Sequence, residues 1–165
     1  MEETATGVTG LALPGIENLQ RIGRGGFASV YRGWQPAFHR DVAVKILDPI
    51  PDNPSEPRFR REIKAMGSLS DHPNVVPVYE AGVVGDRPYL VMPLLSGGSL
   101  AAQLANGPLP AEEVVRLGVA MADALAAAHR LGLLHRDVKP ANILSTAYGQ
   151  PQLSDFGMRG LPIRP

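Results

Sequence analysis

The 165-residue sequence contains no cysteine, which excludes a disulfide framework and a thiolate zinc site. Charge of one sign is not in excess either, because 16 basic side chains balance 16 acidic ones and the formal net charge is zero. This balance gives no reason to expect a nucleic-acid partner. No run of about 18 apolar residues occurs, so no membrane segment is predicted. The N-terminus has no signal-peptide pattern, and together these absences fit a reducing, cytoplasmic setting.

The chain does contain enough apolar side chains for a packed core, at 44% of its residues. Residues 1–17 are predicted to form a flexible lead-in. A strand-like pattern runs from Leu19 to Leu47, and two further strands are predicted at Val75–Ala81 and Pro88–Met92, joined through Gly85-Asp86. The second half is led by a long helix. The predicted fold class is therefore α+β with two lobes.

Two helices follow from the spacing of apolar residues. The first comes after a proline-rich loop, with Ser55 as its cap. Its predicted apolar face consists of Phe59, Ile63 and Met66. The second begins near Pro110 and ends at Gly132. Its predicted buried stripe consists of Val114, Leu117, Met121, Leu125 and Ala128.

A glycine-rich segment, Ile22–Val30, lies between two strand candidates. Glycines allow a strand–turn–strand backbone to close over phosphate groups and to point N–H groups at them. Taken alone, such a hairpin is more often an ordinary turn. A dinucleotide-binding loop is excluded, because a strand and not a helix follows the glycines.

Lys45 lies on a predicted strand and shares a face with Ala43, which leaves room for a flat ring beside the ammonium group. Glu62 shares part of the inward-facing surface of the first helix, where a carboxylate is costly unless it is paired. We therefore expect a Lys45–Glu62 ion pair. An ordinary edge-strand lysine is the alternative if Lys45 is considered alone.

Two short motifs near the end of the chain carry most of the chemistry. They are the segment His135–Asn142, which reads HRDVKPAN, and Asp155-Phe156-Gly157. Together they supply two carboxylates, an ammonium group and an amide. Phosphoryl transfer from a magnesium nucleotide needs a base for the hydroxyl, a cation at the moving phosphate and oxygen ligands for Mg²⁺. Each residue alone also fits a structural role, such as a turn cap for Asp137 or a buried, satisfied histidine for His135.

In their order and spacing, these motifs resemble the catalytic domain of a Hanks-type, eukaryotic-like protein serine/threonine kinase of the bacterial kind. The resemblance implies a protein-kinase-like two-lobed fold over residues 18–165. A complete N-lobe, a β-sheet with one helix, is expected at about 18–95, and the first part of a helical C-lobe at about 96–165. The implied reaction is transfer of the γ-phosphate of Mg-ATP to serine or threonine hydroxyls of protein substrates.

The resemblance also implies a role for each matching residue. Asp137 orients the substrate hydroxyl and accepts its proton, and Lys139 steadies the γ-phosphate. Lys45, held by Glu62, contacts the α and β phosphates. The implied magnesium ligands are Asn142 and Asp155. The implied nucleotide contacts are Ile22, Gly23, Arg24, Gly25, Gly26, Phe27, Ala28, Ser29, Val30, Ala43, Lys45, Met92, Pro93, Leu95 and Leu144.

The sequence departs from the family pattern in two places. Ala28 replaces a third spaced glycine, and the chain ends soon after Gly157, before a full activation segment and most of the helical lobe. The helix from 111 to 131 is therefore expected to expose apolar surface and to favour self-association. The leading interpretation is a C-terminally truncated kinase whose own activity is open. The alternatives are a non-catalytic ATP-binding pseudokinase module and a small-molecule kinase of the antibiotic phosphotransferase type.

Overall fold

The structure, a computed structural model, describes residues 12–26, 28–49 and 57–156, with the side chains of residues 57–60 and of Glu62 outside the description. The chain divides into two compact units. The first comprises Met1–Glu56 and Val78–Leu94, and the second comprises Pro57–Pro77 and Leu95–Pro165. Each unit has its own cluster of buried hydrophobic residues.

The first unit contains a five-stranded antiparallel sheet in the order β1-β2-β3-β5-β4. Its strands are β1 (Glu17–Arg24), β2 (Ala28–Gln35), β3 (Arg40–Leu47), β4 (Glu80–Val84) and β5 (Arg87–Pro93). Strand β3 lies in the middle, where its β-branched residues Val42, Val44 and Ile46 are buried. The strand-like run from Leu19 to Leu47 therefore contains three strands, and the strand predicted at Pro88–Met92 is β5.

The strand predicted at Val75–Ala81 begins later, at Glu80. Pro77 has no N–H group to donate, which prevents a regular ladder across the middle of the predicted segment. Val75 instead makes an isolated bridge to Leu153 of the second unit, and it is buried in that unit's core. The prediction was therefore wrong about where this strand starts.

Two residues ahead of β1 belong to the core of the first unit. Leu13 and Ile16 form a short bridge and are 5% and 7% exposed. Gly33 on β2 makes this possible, because a Cβ atom there would lie 2.5 Å from Cγ2 of Ile16. The described end of the predicted lead-in is thus packed against the sheet, while residues 1–11 lie outside the description. The other core members are Tyr31, Val42, Val44, Ile46, Tyr89 and Val91.

The second unit combines α-helices with a two-stranded antiparallel sheet. Its elements are α1 (Pro57–Leu69), α2 (Leu100–Leu104), α3 (Ala111–Arg130), β6 (Ile143–Ser145) and β7 (Pro151–Leu153). Its core consists of Leu69, Val75, Leu100, Met121, Ala124, Ala127, Ala128, Leu133, Ile143, Leu153 and Phe156. The predicted cap Ser55 and the side chain of Phe59 lie outside the description, whereas Met66 packs against this core.

The long predicted helix is present as α3. Pro110 is its N-cap residue, and Gly132 follows its end with the positive φ of +73° that glycine adopts readily. The predicted stripe is wrong at Val114, which is 51% exposed, because the first turn of α3 extends beyond the core that Leu117 contacts. The exposed large apolar residues of this helix are Val114, Val115 and Val119. Across the described ranges, no helix is both long and apolar enough to cross a membrane.

Candidate active site

His135 anchors the loop that precedes β6. Its ring is 2% exposed, Nε2–H donates to the carbonyl oxygen of Ser154 at 2.6 Å, and Nδ1 accepts from the backbone N–H of Asp137 at 3.2 Å. The two hydrogen bonds together select the Nε2–H tautomer. The ring also meets Phe156 edge-on, with centroids 4.7 Å apart. His135 therefore ties the loop to the chain after β7 and has a structural role.

Asp137 and Lys139 form the charged centre of this loop. Lys139 Nζ lies 2.9 Å from Asp137 Oδ2, and the two side chains are 45% and 23% exposed. Asn142 Nδ2 donates to the backbone carbonyl of Asp137 at 2.8 Å and lies 3.2 Å from Oδ2. The loop thus brings together a carboxylate, an ammonium group and an amide, which the spacing in the sequence had predicted as a set.

Ser154 links the two motifs and was not identified from the sequence. Its backbone N–H donates to the carbonyl of Asn142 at 2.8 Å, and its hydroxyl donates to the same oxygen at 3.1 Å. Since Ser154 directly precedes Asp155, these bonds place Asn142 and Asp155 on adjacent segments of backbone. No local pattern marks this serine, because its partner is distant along the chain.

Two non-glycine residues of the site have left-handed backbone conformations. Arg136 has φ of +65° and Asp155 has φ of +68°. This conformation costs roughly 1–2 kcal/mol for a residue with a Cβ atom, although aspartate tolerates it better than most. Buried neighbours hold both residues in place, since Arg136 follows His135 and Asp155 lies between Ser154 and Phe156. Such strain is concentrated at functional sites.

Asn142 and Asp155 have the chemistry of magnesium ligands. Asn142 is 7% exposed and uses Nδ2 to donate to Asp137, so the amide presents its oxygen, Oδ1, as the remaining polar atom. Asp155 adds a half-buried carboxylate. Mg²⁺ is commonly held by one or two side chains with water and substrate phosphates completing its shell, and this donor set fits that mode. Within the described residues, no group of three or more His, Asp or Glu could hold a metal.

The glycine-rich hairpin joins β1 to β2 in the first unit. The N–H of Gly25 donates to the carbonyl of Ala28 at 2.8 Å, and Phe27 lies outside the description. None of Gly23, Gly25 and Gly26 has a positive φ, and a Cβ atom at any of them would not be crowded by the residues that the structure describes. The fold of this unit therefore does not require glycine at these positions. Close approach of a ligand to the backbone is a reason for them that the fold itself does not supply.

Lys45 lies on central strand β3, paired with Val30 on β2 and Leu90 on β5. It is only 8% exposed, and Ala43 on the same strand is 7% exposed. A lysine this buried is uncommon unless its ammonium group is bound by another group. The alternative of an ordinary edge-strand lysine is therefore wrong, because β3 is a central strand. Glu62 is on α1, but its side chain lies outside the description, so the Lys45–Glu62 pair stays a prediction.

The remaining predicted nucleotide contacts fall in both units. Met92 and Pro93 end β5 in the first unit, and both are half-buried. Leu95 and Leu144 belong to the second unit and are also half-buried. All four side chains are apolar, as a contact with the adenine ring requires. Their role as nucleotide contacts stays a prediction.

The family described as the protein kinase domain matches residues 16–161, which is most of the chain. The chain belongs to the protein kinase domain family. The match covers both units and includes the glycine-rich hairpin, Lys45, the His135–Asn142 loop and Asp155. The α+β, kinase-like fold class predicted from the sequence is thereby confirmed.

Named relatives of this kinase domain come from bacteria. Serine/threonine-protein kinase PknK of Mycobacterium tuberculosis is 52% identical over 146 residues, which cover 87% of this chain and 13% of PknK. PknL of the same species is 43% identical, over 84% of this chain and 35% of PknL. PrkC of Bacillus subtilis is 41% identical, over 85% of this chain and 22% of PrkC. The chain therefore covers about a third or less of the length of each of these relatives.

A solved structure gives the same result for the fold. The crystal structure of the Mycobacterium tuberculosis PknI kinase domain, in a cysteine-to-alanine mutant form, matches this kinase domain with a TM-score of 0.73. The identity is 30%, and the match covers 94% of this chain and 64% of that one. The predicted resemblance to bacterial serine/threonine kinases is confirmed by these relatives.

Proposed function

We propose that this chain acts as a protein serine/threonine kinase that transfers the γ-phosphate of Mg-ATP to protein hydroxyl groups. The proposal rests chiefly on one observation, the cluster in which Lys139 and Asn142 both contact the carboxylate of Asp137. A carboxylate held beside a cation and an amide can orient a hydroxyl group, while the cation stabilises charge on the transferred phosphoryl group. The names of the relatives support the same reaction class.

In this proposal, the chain's own residues divide the work. Asp137 accepts the proton of the substrate hydroxyl, and Lys139 contacts the γ-phosphate. Asn142 and Asp155 would hold Mg²⁺, which neutralises phosphate charge when it is bound. Lys45, positioned by Glu62, would contact the α and β phosphates. These assignments are supported by the hydrogen bonds around Asp137, by the donor set at Asn142 and by the burial of Lys45.

Nucleotide binding in this proposal uses the glycine-rich hairpin and apolar residues near it. The segment Ile22–Val30 would cover the phosphates with backbone N–H groups, and Ala43 would leave space for the adenine ring. Further adenine contacts would come from Met92, Pro93, Leu95 and Leu144. We place the lobe boundary near residue 95, and the reaction in the cytoplasm, where Mg-ATP is available. Support comes from the glycines that the fold itself does not require.

The deciding experiment compares the 165-residue chain with Asp137→Asn in a transfer assay with labelled ATP, Mg²⁺ and two peptide libraries. One library carries serine and threonine as acceptors, and the other carries tyrosine. We expect label in the first library alone, and a loss of about 10²- to 10⁴-fold in Asp137→Asn, because the general base is removed. Asp71→Asn, an exposed site outside the motifs, is the matched control and should keep full activity.

Nucleotide affinity, measured in parallel with a fluorescent ATP analogue, separates the remaining interpretations. Asp137→Asn should bind the nucleotide about as well as the wild type, since Asp137 acts on the acceptor hydroxyl. Binding without transfer by the wild type would support the non-catalytic ATP-binding module. Absence of both binding and transfer would contradict both interpretations.

A further inference from the structure

Ser154 is buried directly after β7, at 7% exposure, and three of its polar groups bond to other residues of the site. Its N–H and its hydroxyl both donate to the backbone carbonyl of Asn142, at 2.8 and 3.1 Å. Its own carbonyl accepts from Nε2–H of His135 at 2.6 Å. We propose that Ser154 is a positioning residue whose hydroxyl sets the affinity of the site for Mg²⁺, by fixing the backbone of Asn142.

The hydrogen bonds around Ser154 form a closed ring. The N–H of Asp137 donates to Nδ1 of His135, and Nε2–H of His135 donates to the carbonyl of Ser154. The hydroxyl of Ser154 donates to the carbonyl of Asn142, and Nδ2 of Asn142 donates to the carbonyl of Asp137. Each member is held from two sides, so loosening one bond of the ring loosens the placement of its neighbours.

The fold does not need the hydroxyl in order to satisfy the carbonyl of Asn142. The N–H of Ser154 already donates to that oxygen, one position beyond the Ile143–Leu153 pair of β6 and β7. A carbonyl oxygen has two lone pairs, and the hydroxyl occupies the second. The second bond therefore adds a restraint on the direction of the Asn142 peptide group, which the first bond alone leaves looser.

Asn142 depends on such outside support because it lies in a short 3₁₀ turn, Pro140–Asn142. Within the turn, the N–H of Asn142 donates to the carbonyl of Lys139 at 2.9 Å. Turns of this kind have poorer hydrogen-bond geometry than an α-helix. Since Nδ2 of Asn142 is fixed on Asp137, the position of Oδ1 follows from where the Asn142 backbone lies. The Ser154 hydroxyl thus acts on the proposed Mg²⁺ ligand Oδ1.

Asp155, the other proposed Mg²⁺ ligand, is attached directly to Ser154 and has φ of +68°. Because Ser154 is fixed through three groups, the chain enters this left-handed residue from a defined position. One serine therefore controls the spacing of both proposed ligands. Groups that hold metal ligands from outside commonly change metal affinity by about 10- to 100-fold when they are removed.

The test is a Mg²⁺ titration of nucleotide affinity, with the whole 165-residue chain and a fluorescent ATP analogue. Ser154→Ala removes the hydroxyl and keeps both backbone bonds. It should raise the Mg²⁺ concentration for half-maximal effect by about tenfold, while nucleotide affinity in EDTA stays at the wild-type value. Ser154→Thr keeps a hydroxyl and should stay within about twofold of the wild type, because the restraint on Asn142 is restored.

Ser70→Ala is the matched control. The hydroxyl of Ser70 donates to the carbonyl of Met66 at 3.1 Å, which is the same kind and length of bond in the same unit. Urea denaturation measures the stability that each alanine variant loses. Ser70→Ala should keep the wild-type Mg²⁺ dependence whatever stability it loses, which separates a general effect on folding from an effect on the metal site.

The proposal is overturned if the Mg²⁺ titration of Ser154→Ala follows that of the wild type, or if Ser70→Ala shifts as far. An equal loss of affinity in EDTA and in Mg²⁺ would also overturn it, since Ser154 would then support the fold alone. A shift in Ser154→Thr as large as that in Ser154→Ala would contradict the hydroxyl as the cause. Nucleotide binding by the wild type that does not respond to Mg²⁺ would contradict the site itself.

This inference rests on the Mg-ATP site of the proposed function, but it does not require phosphoryl transfer. A wild type that binds the nucleotide in response to Mg²⁺ and transfers no label contradicts the proposed kinase activity, and the titration still decides the role of Ser154. Transfer by the wild type together with an unchanged titration in Ser154→Ala contradicts the role of Ser154 alone.

Discussion

At the level of single residues, the His135–Asn142 loop depends on buried polar groups whose partners lie far along the chain. His135 and Ser154 are nineteen positions apart, and their hydrogen bond of 2.6 Å is buried. A buried polar group without a partner costs free energy, so the His135 ring and the backbone carbonyl of Ser154 each satisfy the other. The motif in the sequence marks His135 as important, but its role follows from Ser154 and Phe156.

His135→Ala should destabilise the second unit by about 2–4 kcal/mol. The substitution leaves the Ser154 carbonyl without its donor and opens a space beside Phe156. Urea denaturation of the wild type and of His135→Ala measures the change in the free energy of unfolding. His129→Ala, at an exposed position in the last turn of α3, is the control and should change stability by no more than about 0.5 kcal/mol. Equal effects of the two substitutions would contradict the anchoring role.

Tyr89 gives a prediction for alkaline pH. Burial and, in addition, its hydrogen bond of 3.0 Å to Glu80 Oε1 raise the pKa of Tyr89 above the ordinary 10.0. Because folding favours the neutral phenol, the stability it contributes is fully present below pH 10 and is lost as pH rises through the raised pKa. Tyr89→Phe should therefore lose less stability than the wild type above pH 10.

The measurement is thermal unfolding of both proteins from about pH 8 to about pH 11. Tyr148→Phe removes the same hydroxyl from a side chain that is 98% exposed, and it should follow the wild type at every pH. A Tyr89→Phe curve parallel to that of the wild type would contradict the assignment.

At the level of elements, glycines in the β1–β2 hairpin serve two different purposes. Gly33 is required by packing, since a Cβ atom there would lie 2.5 Å from Ile16 and 3.2 Å from Leu19. Gly26 has no positive φ, and no described residue beyond its chain neighbours lies within 4 Å of such an atom. Packing of the fold therefore requires glycine at position 33. At position 26 glycine leaves room for a ligand to approach the backbone.

Gly33→Ala should destabilise the first unit by about 1–3 kcal/mol, because the added methyl group would displace Ile16 from its contact with β2. Gly26→Ala should leave stability nearly unchanged and, under the proposed function, weaken ATP binding by about tenfold through contact with the phosphates. Denaturant unfolding and nucleotide titration of the two variants test this pair. The opposite order of effects would refute the division between packing and binding glycines.

At the level of the whole molecule, the kinase domain consists of two compact units, each with its own core. Lys45 lies in the first unit, and Asp137, Asn142 and Asp155 lie in the second. Under the proposed function, Lys45 contacts the phosphates of ATP, and Asn142 and Asp155 hold Mg²⁺. A ligand that binds the folded protein stabilises it by mass action, which gives a test that needs no substrate.

Mg-ATP at about 100 times its Kd should raise the stability of the wild type by about 2.7 kcal/mol, measured as a rise in Tm. Lys45→Met should reduce this rise strongly, because the buried ammonium group is the proposed phosphate contact. Lys64→Met, an exposed lysine on α1, should keep it. The same rise with EDTA in place of Mg²⁺ would contradict the roles proposed for Asn142 and Asp155.

The sequence by itself predicted the fold class, the long helix α3 and the grouping of Asp137, Lys139 and Asn142 in one loop. These rest on local patterns, since apolar spacing and motif chemistry can be read from residues close together in the chain. The family match and the PknI structure agree with the predicted class. Prediction failed at two places. The start of β4 is shifted by Pro77, a local signal that was overlooked, and by the bridge from Val75 to the distant Leu153, and Val114 is exposed because it lies beyond the core.

The tertiary structure alone decided the tautomer of His135, the burial of Leu13 and Ile16, and the hydrogen bonds between Ser154 and Asn142. Each depends on residues that folding brings together from different parts of the chain. These side chains can be read from the sequence, but the contacts between them cannot. Burial and hydrogen-bond geometry are established only when the helices and strands pack together.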